Sequence, residues 1–207
     1  MVEAGRHRHI ILPARFGGAT LPDLAAIDMR SDPPDRGRWL APPLVDALAD
    51  SDLETFYRDM VMVRAFDQQA TNLQRQGQLA LWPPSLGQEA AQVGSVRAAR
   101  AQDHIFPSYR EHAVTRIRGV DPVDIIKLMR GVSHGGWDPT DPKNGNTRLY
   151  TLVLGSQVLH AAGYAMGLTF DGRTGTGDPE RDEAVVVYYG DGASSQGDVH
   201  EAMVFAA

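Results

Sequence analysis

Residues 184–198 read AVVVYYGDGASSQGD: a continuous apolar run, then Gly-Asp-Gly, then a polar turn. A β-branched and aromatic run without alternation predicts a strand buried on both faces, as in a parallel sheet covered by helices. Beyond the turn, a helix is predicted to begin near Gly197 and to be still running at Ala207. Strand, glycine turn and helix in succession point to an α/β fold with a mostly parallel sheet flanked by helices. Ligands of such sheets bind beyond the carboxyl ends of the strands, which is where Asp191 stands. With Gly190 and Gly192 letting backbone N–H groups come close, its carboxylate is a seat for a hard divalent cation bridging phosphate oxygens. The N-terminus of the following helix would add partial positive charge. Taken alone, Gly-Asp-Gly is equally a tight turn without a ligand.

Working back along the chain, Leu149–Leu154 reads as a second buried strand with Gly155 as its exit, so its carboxyl end is the other place to look for a site. Ser156–Leu168 reads as a helix whose Ala161, Ala162, Gly163, Ala165 and Gly167 suit tight packing. Residues 132–147 are a polar loop rich in Gly, Pro and Asn. Asp121 and Pro122 form an N-cap and first-turn pair, opening a short helix that ends at Gly131. Gln88–Ala101 is a helix of small residues, expected to be buried. Ser51 with Glu54 reads as a capping box at the start of a helix that ends at Gly77, with Leu53, Phe56, Tyr57, Met60, Val63 and Leu73 on one face. Residues 1–50, with Pro13, Pro22, Pro33, Pro34, Pro42 and Pro43 and no sustained period, read as an extended N-terminal arm, and 51–207 as the folded domain.

Composition narrows the chemistry. The 207 residues contain no Cys, which excludes a disulfide framework, a thiolate metal site and a cysteine nucleophile. Twenty basic residues against 26 acidic ones, a net charge of -6, argue against a nucleic-acid partner held through phosphates. No apolar run approaches the roughly 20 residues that span a bilayer, and the N-terminal apolar stretch is too short for a signal-peptide core, so no membrane association and a cytoplasmic location are expected.

Five separated motifs then occur in one order: GQEAAQVGS (87–95), FPSYREHA (106–113), RGVSHGG (130–136), GSQVLHAAGYAMG (155–167) and VVVYYGDGASSQGDVHEAM (185–203). The last resembles the opening half of a thiamin diphosphate fingerprint. Together the five resemble the alpha subunit of the 2-oxo acid dehydrogenases, close to the actinobacterial branched-chain and pyruvate members. The resemblance implies a thiamin diphosphate-binding fold. It also implies a Mg2+ ligand in Asp191, with Gly190, Gly192 and Ala193 offering backbone to the cofactor's diphosphate. Tyr109 and Arg110 match the family's pair at the same diphosphate, and a guanidinium fork suits phosphate oxygens. Leu152 and Leu154 match positions whose backbone holds the aminopyrimidine ring. They also read as core residues.

His112 is the candidate catalytic residue, placed to orient a substrate carboxylate or an intermediate; a lone histidine at a helix start also serves structure. His134 and His160 read as packing or exposed residues, and Trp82 as a core residue or one near a substrate channel. The partners implied are a beta subunit that completes the site, a lipoyl-bearing acyltransferase core, and a 2-oxo acid substrate, branched-chain in preference to pyruvate. The fingerprint's paired asparagines belong well beyond Gly-Asp-Gly, yet only 15 residues follow Gly192. The fold is therefore expected to be incomplete at the C-terminus, and the chain to be a truncated piece, inactive alone. Two other readings stand beside this one. A dinucleotide-binding domain is disfavoured by the lack of G-x-G-x-x-G between a strand and a helix. The other is a non-catalytic remnant that acts only in subunit interaction.

Overall fold

The computed structural model describes residues 48–132, 134–150 and 152–207; the arm predicted for residues 1–50 lies almost wholly outside them. In chain order the elements are α1 (Asp50–Arg75), α2 (Glu89–Ala98), β1 (His104–Phe106), α3 (His112–Ile117), α4 (Pro122–Arg130), α5 (Ser156–Phe170), β2 (Val185–Val187) and α6 (Gly197–Ala206), with short 3-10 turns at Pro142–Asn144 and Ala193–Ser195. β1 and β2 pair in parallel, His104 opposite Val185 and Phe106 opposite Val187, with α3, α4 and α5 in the crossover between them. The chain is an α/β protein, rich in helix, around a small parallel sheet.

The helix boundaries follow local chemistry. In α4 the Asp121 carboxylate accepts from Val123 N–H, Pro122 opens the first turn, and Gly131 ends the helix in the left-handed conformation at φ 75°. At α1 the expected Ser51 box is displaced by two residues: the helix starts at Asp50, and it is Asp52 that accepts the Ala49 N–H at 3.1 Å. α1 is anchored along its length by buried Asp59, Val63, Asp67 and Ala70. Asp59 pairs with Arg97 of α2 at 2.6 Å, and Arg64 of α1 pairs with Glu89 at 2.8 Å, locking the two helices in register.

Three expectations are corrected. Residues 149–154 form no strand among the described residues, and Leu152, Val153 and Leu154 are exposed. The ladder on that side of β1 is one parallel bridge, Ile105 to Thr147, closed by Ile105 N–H to Asn146 O (3.0 Å) and Arg148 N–H to Ile105 O (2.8 Å). The chain then turns away, because Tyr150 is drawn into the core against Trp137 and His112. Val185–Val187 are only half-buried instead of covered on both faces, since β2 has a strand on one side alone among the described residues. The small-residue face of α2 is exposed at Ala90, Ala91 and Gly94; the helix buries Glu89, Gln92, Val93 and Val96 in its place.

The core is a string of four clusters. Ala70, Leu79, Trp82, Ile125, Met129, Trp137 and Tyr150 join α1, α4 and the loops around them. Val63, Val93 and Ala113 tie α1, α2 and α3. Val96, Ile105, Val114 and Tyr188 pack α2 and α3 on the sheet, while Val158, Val199 and Ala202 join α5 to α6. The last two clusters hold the two strand exits in place. Among the described residues no helix is long and apolar enough to cross a membrane.

Candidate functional site

Parallel pairing puts the carboxyl ends of β1 and β2 on one edge of the sheet, so the segments 107–111 and 188–193 leave side by side. Tyr188 N–H extends the ladder to Phe106 O (2.9 Å), and its hydroxyl donates to Ser95 Oγ of α2 (2.9 Å). From α5, Gln157 Nε2 donates to Tyr188 O at 2.6 Å. Three elements therefore fix the point at which β2 ends.

The chain beyond it is a compact turn. Ser194 N–H reaches Gly190 O (3.2 Å) and Asp191 O (3.1 Å), Ser194 Oγ donates to Asp191 O (2.5 Å), and Gln196 N–H reaches Ala193 O (2.9 Å). Ala193 is buried, and the Asp191 side chain is exposed with no hydrogen-bond or ion-pair partner among the described residues. Neither Gly190 nor Gly192 has a positive φ, Gly192 lying at φ -61° and ψ -40°, and a Cβ on either would meet nothing within 4 Å. Nothing among the described residues demands glycine there. A side chain would instead fill the open space that the two glycines leave on either side of a free carboxylate.

The segment leaving β1 is held from α2 and from the 82–85 loop. Gln92 clamps it twice: its Nε2 donates to Arg110 O (3.1 Å), and its Oε1 accepts from Ala113 N–H (3.1 Å). Arg110 is half-buried, donates Nη1 to Pro84 O (2.5 Å), lies over the Tyr109 ring at 5.5 Å, and makes no ion pair among the described residues. A guanidinium without a carboxylate at a sheet edge is available to an anion.

The 82–85 loop is in turn built on Asp67 of α1, whose Oδ1 accepts from Trp82 Nε1 (2.9 Å) and Ser85 N–H (3.0 Å). His112 completes the support. It is fully buried, its ring is stacked on Trp82 at 4.1 Å, Nε2 lies 3.0 Å from Pro83 O, and Nδ1 lies 3.2 Å from Tyr150 Oη. A carbonyl only accepts, so the proton sits on Nε2 and Nδ1 accepts from the tyrosine. Burial pushes the imidazole down to about 4, against the partial support of the Pro83 carbonyl, so the ring is neutral. Trp82 is a core residue, as one of its two readings had it.

The turn carrying Leu152 and Leu154 reaches the same place from a third side. Gly155 caps α5 at φ 81°, and a Cβ there would lie 3.2 Å from Val199 Cγ2 and 3.7 Å from Ala193 Cβ. The 152–155 turn thus meets the exit of β2 at Ala193, while Tyr109 and Arg110 follow β1 on the same edge of the sheet, Tyr109 packed toward Trp82 and Tyr150, and His112 lies in the core. Next to this edge, between Phe106, Arg148 and the first turns of α5, is a cavity of about 530 Å³. Arg148 there donates to Tyr164 Oη (2.6 Å) and lies against His104 Nδ1 (3.3 Å).

Asp67, Gln92, Tyr150 and Gln157 are residues that sequence reasoning missed. Their partners lie far along the chain or inside the core, and no local spacing marks them.

For a metal the donor set is sparse. Among the described residues no three His, Asp or Glu side chains group together, and at the exit of β2 Asp191 is the exposed carboxylate. Mg2+ is commonly held by one or two carboxylates with phosphate oxygens and waters, so the set fits a cation brought with a diphosphate better than a free one.

The family model "Dehydrogenase E1 component" matches residues 57–207. The chain belongs to this family. It is 41% identical over 160 residues to the 3-methyl-2-oxobutanoate dehydrogenase subunit alpha of Mycobacterium tuberculosis (strain ATCC 25618 / H37Rv), covering 77% of this chain and 41% of that relative. To the pyruvate dehydrogenase E1 component subunit alpha of Bacillus cereus it is 32% identical over 172 residues, covering 83% of this chain and 43% of the relative. The corresponding protein of Staphylococcus epidermidis is 34% identical over 164 residues, covering 79% and 41%. The chain therefore spans less than half the length of the curated relatives it matches. As a Dehydrogenase E1 component chain, it carries the family match across every segment that converges on the strand exits.

Proposed function

We propose that this chain supplies the diphosphate-binding half of a thiamin diphosphate site in the alpha subunit of a 2-oxo acid dehydrogenase, on the family's thiamin diphosphate-binding fold. The observation that carries the reading is the free Asp191 carboxylate between two glycines that the backbone does not need, on the edge where unpaired Arg110 also stands. Asp191 holds Mg2+, and the backbone of Gly190, Gly192 and Ala193 approaches the diphosphate. Tyr109 and Arg110 close it from the β1 side, where the guanidinium fork matches phosphate oxygens. Leu152 and Leu154 present backbone groups to the aminopyrimidine, which accounts for the exposure of their side chains in a turn. When bound, the cofactor supplies the electron sink for loss of CO2 from a 2-oxo acid.

His112, first considered as a group that touches substrate, is proposed as a positioning residue. Both its ring nitrogens are engaged inside the chain, where it orders the Pro83–Pro84 carbonyls that receive Arg110. A beta subunit completes the site, and the acyl group passes to a lipoyl-bearing acyltransferase core. The substrate is a branched-chain 2-oxo acid, supported by the higher identity to the relative named for 3-methyl-2-oxobutanoate than to those named for pyruvate.

The test is Asp191→Ala in the intact protein with its partner subunit. Retention of Mg2+ and thiamin diphosphate should fall at least tenfold, about the worth of one charge-assisted contact or more. Without cofactor, the melting midpoint should move by no more than about 2 °C, since the carboxylate makes no hydrogen bond or ion pair among the described residues. Undiminished retention overturns the assignment. Turnover of 3-methyl-2-oxobutanoate and pyruvate, assayed in parallel, settles the substrate.

A further inference from the structure

Glu111 sits between the anion-binding pair and the core, and the mechanism above makes no use of it. Its side chain is buried, and its Oε2 is sealed from solvent with no hydrogen-bond partner. Among the described residues it makes no ion pair, although Arg110 is its neighbour in sequence, because that guanidinium reaches the other way, to Pro84 O. The groups that face it are Arg110 from its own segment, Tyr150 from the loop after Arg148, and Tyr188 from the end of β2. The hydroxyls of the two tyrosines are engaged elsewhere, with His112 Nδ1 and Ser95 Oγ, and both titrate well above neutrality because they are buried. His112 beside it is neutral. The backbone N–H groups of Ser108, Arg110 and Glu111 favour the anion but offset its burial only in part, and with one oxygen lacking any donor and Arg110 the one positive charge facing it, the carboxylate is poorly accommodated as an anion.

We propose that Glu111 sets the affinity of the neighbouring anion site through one proton: as a neutral acid it leaves the Arg110 charge to a bound diphosphate, and as a carboxylate it opposes that binding. Burial independently pushes this carboxyl up to about 7, so the exchange falls in the neutral range. Diphosphate arriving at Tyr109 and Arg110 adds negative charge close by, and Glu111, where ionised, takes up one proton from solvent. By linkage, affinity is highest below the carboxyl's midpoint and falls as pH rises through it. The inference rests on the diphosphate reading of this edge, and goes beyond it in naming the residue that makes binding proton-dependent.

The experiment measures binding of Mg2+ and thiamin diphosphate to the intact protein with its partner subunit, from pH 6 to pH 8, for wild type and Glu111→Gln. Titration of the cofactor's own phosphate is common to both and cancels in the ratio. Wild-type affinity should fall about tenfold more than that of E111Q over the range, the effect of one coupled proton across one pH unit. E111Q should match the wild type at pH 6. Parallel profiles overturn the role of Glu111 and leave the cofactor reading standing. Wild type that binds at no pH overturns that reading and this inference with it. Should E111Q fail to fold, calorimetry on wild type at pH 7.5 in two buffers of different ionisation enthalpy decides. Proton uptake beyond that of the free cofactor supports the proposal, and none refutes it.

Discussion

Two adjacent residues carry opposite proton linkages, so exchanging either one should change how stability responds to pH. His112 is held neutral at about 4 by burial against an ordinary 6.5, so its contribution is fully present above pH 6.5 and is lost as pH falls toward 4. Glu111 is held at about 7 against an ordinary 4.5, so its contribution is fully present below pH 4.5 and is lost as pH rises toward 7. Between pH 5 and 6.5 each changes stability by about 1.4 kcal/mol per pH unit, about 2 kcal/mol over the window, with opposite sign. In the wild type the two nearly cancel. Removing the acid in Glu111→Gln exposes the histidine: relative to wild type, the variant should lose about 2 kcal/mol on going down from pH 6.5 to 5. His112→Phe keeps a ring against Trp82 and exposes the acid, so that variant should lose about 2 kcal/mol relative to wild type on going up from pH 5 to 6.5. H112F also carries a pH-independent loss of about 2 kcal/mol, because the Pro83 carbonyl and Tyr150 hydroxyl lose a buried partner. Urea unfolding at four pH values across the window measures all three proteins at constant ionic strength. Two variants whose stabilities run parallel to wild type would show that neither group is buried as described.

Two further substitutions separate the site from the scaffold. Gly192→Ala should leave urea stability within about 0.5 kcal/mol, since φ -61° and ψ -40° suit alanine and its Cβ meets open space, while binding of Mg2+ and thiamin diphosphate falls at least tenfold. Gly155→Ala should behave in the opposite order. With φ at 81° and a Cβ 3.2 Å from Val199 Cγ2, it should cost about 1–2 kcal/mol in the same urea assay.

The sequence was most legible where structure is encoded within a few residues. Asp121, Pro122 and Gly131 bound α4 because cap, first turn and left-handed exit are local chemistry, and the helix is found between them. Gly-Asp-Gly was likewise read as a strand exit before a helix, and it is one. The failures share a physical origin in tertiary choice. Leu149–Leu154 has the composition of a strand, yet a single bridge at Thr147 uses up the pairing on that side of β1, and among the described residues of the run the core takes Tyr150 alone. β1 itself, three residues that include a histidine, has no period to betray it; it is a strand because both neighbours offer backbone partners. Small residues on α2 were expected to pack inward, but Gln92 faces in to clamp the Arg110 segment, and that turns Ala90, Ala91 and Gly94 outward.

The candidate site divides along the same line. Arg110 and Asp191 are visible in sequence because each stands in one of the five motifs, and they are the residues proposed to meet a ligand, which constrains residue type. What makes them usable is not visible, because it runs through Asp67, His112 and Gln92, each of which acts on backbone carbonyls or amides whose own side chains carry no signal. Gly190 and Gly192 invert the argument. Gly155 is required by its own φ and by Val199, so the chain alone accounts for it. The glycines about Asp191 have no positive φ and open surroundings, so the described residues do not account for them. Where the described contacts leave a residue type unexplained, the proposed cofactor site supplies the reason: a free carboxylate between the glycines and an unpaired guanidinium suit a group that carries both a cation and negative charge.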